Sequence, residues 1–289
     1  MTNILEYLER SAQLYPEKPA LVDERQSITF TQALEDSRRV GSSLALSLAK
    51  GQPVAVYMEK SVENLCAFWG IVYAGGFYVS FNTQLPTSRL QQMQSVLQAP
   101  FVITDEEHRA ALEEVFPPHR ILLYQDLVKS AVDRALLAQI RQRHVDTAPL
   151  YANFTSGSTG VPKAVVVGHR STLDFIDHFC PIFSITQKDV IANQAPFDFD
   201  VSVKDIYSAL ATGATLVLVP RPLFSQPQQL LDFLCEHRAT TLIWAVSALC
   251  LITTVHGLDY RTPETVNKVL FSGEVMPAKH LKIWMEHLP

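Results

Sequence analysis

The sequence predicts an α/β protein built on two helix-covered, largely parallel sheets. Short apolar strand-like runs alternate with helix-like segments from residue 53 to residue 104, in the order β-α-β-α-β. A second alternating set follows a connector at 145–149, VDTAP. Because 289 residues is long for one compact domain, we expect two lobes, at 1–146 and 147–289.

The first half of the chain opens with an amphipathic helix. Ile4, Leu5, Leu8 and Ala12 recur on one face, and Pro16 ends the pattern. The other elements predicted in this half are a strand at 53–58, a helix at 61–74 with Ser61 as its N-cap, a strand at 77–81, a helix at 88–99, a strand at 101–104 and a helix at 126–144.

The second half repeats the alternation of strands and helices. Apolar runs rich in valine, leucine and isoleucine predict the strands, and longer amphipathic segments predict the helices. The predicted strands are 151–154, 164–167, 190–196, 215–220, 240–246 and 267–273, and the predicted helices are about 171–183, 202–211, 226–238 and 278–288.

Composition excludes several classes of protein. Hydrophobic residues make up 47% of the chain and the net charge is −5, so the basic surface expected of a nucleic-acid binder is missing. The N-terminal segment carries charges where a signal peptide is apolar. The uncharged run at 65–81 is broken by Gly75 and Gly76, which favours a buried helix, a turn and a buried strand over a membrane span.

The cysteines and histidines do not form a metal or disulfide pattern. Cysteines stand at 66, 180, 235 and 250 without a CxxC pair, which favours free thiols in a reducing, cytoplasmic compartment. The nine histidines show no HExxH spacing, so we expect no metal bound by protein ligands.

The strongest indication of chemistry in the sequence is a loop of small polar residues that begins at Thr155 and is closed by Lys163. Its backbone amides, hydroxyls and terminal ammonium suit a polyphosphate. The spacing is neither GxxxxGK[ST] nor GxGxxG, and composition alone also allows a surface hairpin. The candidate phosphate-binding residues are Thr155, Ser156, Gly157, Ser158, Thr159, Gly160 and Lys163.

The segment YANFTSGSTGVPKAVVVGHRS resembles the phosphate-binding signature of the adenylate-forming superfamily. Ala164 departs from it, because the family usually has glycine there. Similarity extends along the whole chain, through segments at 27–44, 69–90, 197–207 and 271–277. It is strongest to amino-acid adenylation domains of nonribosomal peptide synthetases and to D-alanine–carrier protein ligases, and it implies the N-terminal part of the large domain of an adenylating enzyme.

The resemblance also implies the substrate residues. Asp200 matches the aspartate that binds the substrate ammonium, and Gly273 and Glu274 match residues beside the adenine. Lys204 would meet an acidic or polar substrate side chain or point outward along its helix, and Trp244 would narrow the pocket. The matching side-chain pocket consists of Val201, Lys204, Trp244, Leu270 and Ser272.

The reaction implied is ATP- and Mg²⁺-dependent formation of an aminoacyl-adenylate, followed by loading onto the phosphopantetheine thiol of a carrier protein. The family's C-terminal domain and its catalytic lysine have no match within 1–289. We therefore expect an N-terminal fragment that is inactive alone, with its catalytic residue unknown. Two alternatives stay open: activation of a simple carboxylic acid, as in acyl- or aryl-CoA ligases, and a non-catalytic binding module.

Overall fold

The structure is a computed structural model that describes residues 1–155 and 162–288. The strands in these residues are β1 (Pro19–Val22), β2 (Ser27–Thr29), β3 (Pro53–Tyr57), β4 (Phe77–Ser80), β5 (Phe101–Thr104), β6 (Ile121–Leu123), β7 (Pro149–Thr155), β8 (Lys163–Gly168), β9 (Val190–Asn193), β10 (Thr215–Leu218), β11 (Thr241–Ala245) and β12 (Lys268–Ser272).

Helices connect most of these strands. They are α1 (Leu5–Leu14), α2 (Phe30–Leu44), α3 (Val62–Tyr73), α4 (Thr87–Leu97), α5 (Tyr124–Leu127), α6 (Arg134–Gln142), α7 (His169–Ile182), α8 (Ser202–Thr212), α9 (Pro227–Glu236), α10 (Val246–Thr254), α11 (Gly257–Tyr260) and α12 (Ala278–His287).

The chain forms two compact units, which are described separately. The first unit contains 1–16 and 30–175, and the second contains 17–29 and 176–289. The two lobes predicted from the sequence, 1–146 and 147–289, stay a prediction.

Each unit has one six-stranded sheet. The first has the order β6-β5-β3-β4-β7-β8, and the second has the order β12-β11-β9-β10-β1-β2. Four of the five pairings in each sheet are parallel, and the antiparallel ones are β7–β8 and β1–β2. The predicted α/β class with two largely parallel, helix-covered sheets is therefore confirmed.

The uncharged run at 65–81 folds as its glycine pair predicts. Helix α3 is capped by the Ser61 hydroxyl, which accepts a hydrogen bond from the Asn64 amide at 3.2 Å. Gly75, at φ +82°, makes the turn into the buried strand β4. No helix among the described residues is both long and apolar enough to cross a membrane.

The single helix predicted at 126–144 was wrong. The structure has α5 and α6, with a break at 128–133. Asp133 caps the second helix, because its carboxylate accepts a hydrogen bond from the Leu136 amide at 2.9 Å. Its own amide donates to the Ser42 hydroxyl at 2.9 Å and ties the break to α2.

Helices α2 and α3 approach closely at glycines. A Cβ added to Gly70 would lie 2.4 Å from Val40 Cγ1 and 3.1 Å from the Ser37 carbonyl oxygen. We expect Gly70→Ala to lower the free energy of unfolding by about 1–3 kcal/mol, because overpacking outweighs the better helix propensity of alanine. Urea unfolding monitored by circular dichroism measures this.

Val40 offers the matched control for that substitution. Val40→Gly removes both Cγ1 and Cβ, which would lie 2.4 and 2.6 Å from the new Cβ, so Val40→Gly and Gly70→Ala together should cost less than the sum of their separate costs. Additive costs would contradict the steric explanation.

Candidate functional site

The β7–β8 hairpin carries the predicted phosphate loop. Thr155 and Lys163 are the last paired residues of the hairpin that the structure describes, and the Thr155 hydroxyl donates to the Lys163 carbonyl oxygen at 3.4 Å. Both residues are exposed, so the predicted loop has an exposed hydroxyl residue at one end and an exposed lysine at the other. The other predicted phosphate-binding residues, Ser156, Gly157, Ser158, Thr159 and Gly160, lie outside the described residues.

The base of this hairpin is fixed by packing. Phe154 meets the buried Phe81 ring edge-on, with the ring centroids 6.1 Å apart. Ala164, the departure from the family signature, packs partly buried against the same cluster of core residues. Its methyl group is thus accommodated beside the core.

A buried histidine anchors the end of the hairpin in the first unit. His169 directly follows β8, and its Nδ1 accepts a hydrogen bond from the Ile4 amide at 3.1 Å. The His144 ring lies edge-on at 4.4 Å between centroids, and its Nε2 lies 3.1 Å from the Thr2 carbonyl oxygen. Burial, helped by the neighbouring His144 and Arg141, lowers the pKa of His169 to about 3.

This lowered pKa predicts sensitivity to acid. In the unfolded chain the His169 imidazole takes up a proton near its ordinary pKa of 6.5, whereas in the folded chain it stays neutral down to about 3. The contribution of neutral His169 to the free energy of unfolding is therefore fully present above pH 6.5 and is lost as the pH falls toward 3. We expect a loss of about 2 kcal/mol between pH 7.5 and pH 5 from this residue.

His169→Asn provides the control for the acid effect. Asparagine does not titrate in this range, and its amide oxygen retains an acceptor for the Ile4 amide. Urea unfolding at both pH values should show a smaller pH-dependent loss in the variant than in the original protein. Equal losses would show that other groups cause the acid sensitivity.

The second unit presents its candidate site where parallel strands end. Strands β9, β11 and β12 run in the same direction and finish at Asn193, Ala245 and Ser272. Ligands of open α/β sheets bind outside the carboxyl ends of the strands. The start of α8 follows β9 after a short turn, and this turn carries Asp200.

Hydrogen bonds from one side chain and one backbone amide hold the turn that bears Asp200. The Ser202 hydroxyl donates to the Phe199 carbonyl oxygen at 2.7 Å, and the Val203 amide donates to the Asp200 carbonyl oxygen at 3.1 Å. The Asp200 side chain is exposed. One turn into the helix, the buried Asp205 accepts a 2.7 Å hydrogen bond from the Asn193 side chain, which fixes α8 to the end of β9.

Lys204 and Ser272, both predicted pocket residues, are in direct contact. The Lys204 Nζ donates to the Ser272 Oγ at 3.0 Å, so the side chain of α8 reaches across to the end of β12. Leu270 lies two residues before Ser272 on the same face of that strand, and it is half-buried. Val201 precedes α8 with 41% of its surface exposed.

Trp244 lies on the opposite face of the sheet from Ser272. In the parallel register it pairs with Phe271, whereas Ala245 pairs with Ser272. The indole is 2% exposed, donates to the Ala192 carbonyl oxygen at 2.8 Å and packs inside the core of the second unit. The structure therefore places the exposed Ala245, which the sequence analysis missed, beside Ser272.

The turn after β12 contains the predicted adenine neighbours. Gly273 has φ +92° and Glu274 is exposed. Space around Gly273 is open, since a Cβ built there would meet no heavy atom within 4 Å. Their role beside an adenine stays a prediction.

Comparisons with known proteins identify the family. A family model described as AMP-binding enzyme matches residues 8–289. The chain belongs to the AMP-binding enzyme family. The resemblance proposed from the sequence is thereby confirmed.

Curated relatives of this AMP-binding enzyme include two ligases. It is 31% identical over 290 residues to the L-proline–[L-prolyl-carrier protein] ligase of Pseudomonas fluorescens, an alignment that covers 96% of the chain. It is 28% identical over 291 residues to the D-alanine–D-alanyl carrier protein ligase of Staphylococcus aureus, with all of the chain covered. The chain spans 57% of the length of each relative.

Solved structures show the same fold. A crystal structure of the nonribosomal peptide synthetase FmoA3 matches with a TM-score of 0.89 and 25% identity, covering 99% of this chain and 30% of the other. The crystal structure of VinN matches with a TM-score of 0.86 and 20% identity, covering 99% of this chain and 72% of the other. At 20% identity, the similarity to VinN supports a shared fold and nothing further.

Proposed function

We propose that this AMP-binding enzyme activates an amino acid as its aminoacyl-adenylate and loads it onto a carrier protein. The observation that carries the proposal is the exposed carboxylate of Asp200, held by a hydrogen-bonded turn where the parallel strands of the second unit end. An anionic group there is complementary to the ammonium of an amino acid. Both curated ligases named above act on amino acids and carrier proteins, by their names.

The first step of the proposed reaction is transfer of adenylate. A carboxylate oxygen of the amino acid attacks the α-phosphorus of ATP, the bond to the leaving pyrophosphate breaks, and a mixed anhydride forms. Asp200 would hold the substrate ammonium, and Lys163 would neutralise charge on the phosphates. Positioning and charge neutralisation are the contributions expected of these residues.

The second step would release AMP. The thiol of a carrier-bound phosphopantetheine loses its proton to solvent, and its sulfur attacks the acyl carbon of the anhydride. The bond from that carbon to the adenylate oxygen breaks, which leaves a thioester and AMP. The charged amino acid group that Asp200 binds is not altered in either step.

The described residues fit a nucleotide that brings its own metal ion. Thr155 and Lys163 offer a hydroxyl and a cation to phosphates. Within the described ranges, no group of three or more histidine, cysteine, aspartate or glutamate side chains could hold a metal. Mg²⁺ is commonly bound by substrate phosphates, waters and one or two carboxylates, and would supply further charge neutralisation here.

Amino-acid-dependent exchange of pyrophosphate into ATP tests the proposal. The full-length gene product is assayed with the proteinogenic amino acids, D-alanine and the matching acids that lack the amino group. We expect exchange with an amino acid and none with its desamino analogue, because only the amino acid satisfies Asp200. Exchange with simple acids alone would move the function to acyl or aryl activation, and exchange with no compound would favour a non-catalytic module.

Residues 1–289 expressed alone should not sustain this exchange. The segment spans 57% of the length of each curated relative, so we propose that it is not sufficient for the reaction by itself. The expected rate is at background in the assay that detects the full-length product. A rate equal to that of the full-length product would refute this expectation.

A further inference from the structure

We propose that the activated amino acid carries a second carboxylate on its side chain, which pairs with Lys204. This inference rests on the proposed function and names its substrate class. It follows from three features of the second unit: the neutral partner of Lys204, the position of Asp200 and the small residue beside Ser272.

The partner of Lys204 is a neutral hydroxyl. The Lys204 side chain is half-buried, its Nζ donates to Ser272 Oγ at 3.0 Å in an exposed contact, and no ion pair involves it among the residues that the structure describes. A carboxylate adds the attraction of opposite charges to the hydrogen bond that an ammonium makes with a neutral hydroxyl. Lys268, in the same unit, has such an acceptor in Asp189. Lys204 is thus held in place by Ser272 and suited to an incoming anion.

Asp200 lies in the turn before α8, Lys204 lies in the first turn of that helix, and the two side chains do not pair with each other. A carboxylate and an ammonium at the same end of α8 offer opposite charges to the ammonium and the side-chain carboxylate of one acidic amino acid. The remaining α-carboxylate is the group that reacts with ATP.

The immediate neighbours leave room for a short acidic side chain. Ala245 pairs with Ser272 in the sheet and contributes only a methyl group. Both Ala245 and Val201 are exposed, so neither fills the space at the end of the strands. A bulky residue in place of Ala245 would occupy the approach to the ammonium.

The test compares substrate preference in the full-length gene product. Pyrophosphate exchange is measured with L-aspartate, L-glutamate, L-asparagine, L-glutamine, L-alanine and L-proline. We expect aspartate or glutamate to have the highest kcat/KM, and Lys204→Met to lower that value by about 30-fold or more, because an ionic partner is lost. The values for neutral amino acids should change much less, so the ratio of acidic to neutral substrate separates recognition from a structural role.

Two further variants sharpen this test. Ser272→Ala should raise KM for the acidic substrate by a smaller factor, because Ser272 only positions Lys204. Lys279→Met removes an exposed lysine from the first turn of α12 in the same unit and should leave the preference unchanged. Calorimetric titration of each protein with aspartate and glutamate gives a readout that does not need catalysis.

The outcomes separate this inference from the proposed function. Preference for a neutral amino acid, unaffected by Lys204→Met, would overturn the inference and retain amino acid activation. Acidic amino acids that bind through Lys204 without exchange would support the binding site and overturn adenylation. Absence of both binding and exchange with acidic amino acids would overturn the inference.

Discussion

Asp200→Ala should abolish most amino-acid-dependent exchange in the full-length gene product. The variant removes the group proposed to bind the substrate ammonium, and loss of one partner from a charge pair that the bound substrate buries costs about 2–5 kcal/mol, or roughly 30-fold or more in kcat/KM. Asp200→Asn keeps the size of the side chain but removes its charge, so it should also lower kcat/KM for exchange. Initial exchange rates over a range of amino acid concentrations measure both.

Two controls make this result specific. Glu236→Gln neutralises an exposed carboxylate at the end of α9 in the same unit and should leave exchange unchanged. Urea unfolding of the Asp200 variants establishes that each one is folded under the conditions of the exchange assay. Full exchange in a folded Asp200→Ala variant would remove this residue from the substrate site.

Residues close together in the sequence were sufficient to predict many of the helices and strands. Helix α3 was predicted within one residue at each end, because Ser61 caps it and a glycine turn follows it. Strand β5 was predicted at its observed bounds, 101–104. These features depend on residues within a few positions of one another, and the sequence displays such residues together.

Side-chain direction in buried strands could not be predicted in the same way. The run TLIWA of β11 is apolar without a clear alternation, because its parallel sheet is covered on both faces. A shift of one residue moves a side chain to the other face. Strand periodicity therefore could not show that the Trp244 side chain lies in the core and that Ala245 lies beside Ser272. The role of Trp244 in the pocket, which the resemblance implies, stays a prediction.

Contacts between segments that are far apart in the chain could not be predicted from the sequence either. The His169 side chain accepts from an amide 165 residues earlier, and neither segment carries a pattern that indicates the other. The break between α5 and α6 depends partly on Ser42, which lies 91 residues from Asp133. Propensity in 126–144 favours a continuous helix, and the cap at Asp133 with its tertiary contact overrides it.

Asp189→Ala should produce the largest loss of stability among the substitutions proposed. The Asp189 side chain is 4% exposed, and the residue lies immediately before β9. Its Oδ1 accepts from Lys268 Nζ at 2.8 Å, and its Oδ2 accepts from the Thr186 amide at 2.8 Å. The hydroxyls of Thr240 and Thr241 donate to Oδ1 at 2.8 and 3.0 Å.

Removing this carboxylate takes an acceptor from several partly buried donors, although Lys268 keeps Asn267 Oδ1 at 3.1 Å and Thr240 keeps the Val190 carbonyl oxygen at 3.5 Å. The expected cost is about 3–5 kcal/mol in the free energy of unfolding, because the Lys268 ammonium also loses its ionic partner. Urea unfolding at pH 7 measures it. The exposed pair between Lys129 and Asp126 is the matched control, and Asp126→Ala should cost a small fraction of that value.

Acid should weaken the same network in a defined direction. Burial alone would raise the pKa of Asp189, but the hydrogen bonds from Lys268, the Thr186 amide and two threonine hydroxyls outweigh burial and hold it below the ordinary value. The stability gained from this carboxylate is therefore present above its unfolded pKa of about 3.9 and is lost as the pH falls below that value. His169, whose pKa is also lowered, loses its contribution in a higher range, from pH 6.5 downward.

These two pH windows allow the contributions to be separated. Asp189→Asn should remove the part of the acid-dependent loss that occurs below about pH 4, and His169→Asn should remove part of the loss between pH 6.5 and pH 4. Lys268→Met leaves the carboxylate buried without its ammonium, which should raise its folded pKa and shift the acid transition upward. An unchanged acid transition in Lys268→Met would show that the threonine and backbone donors alone hold the charge.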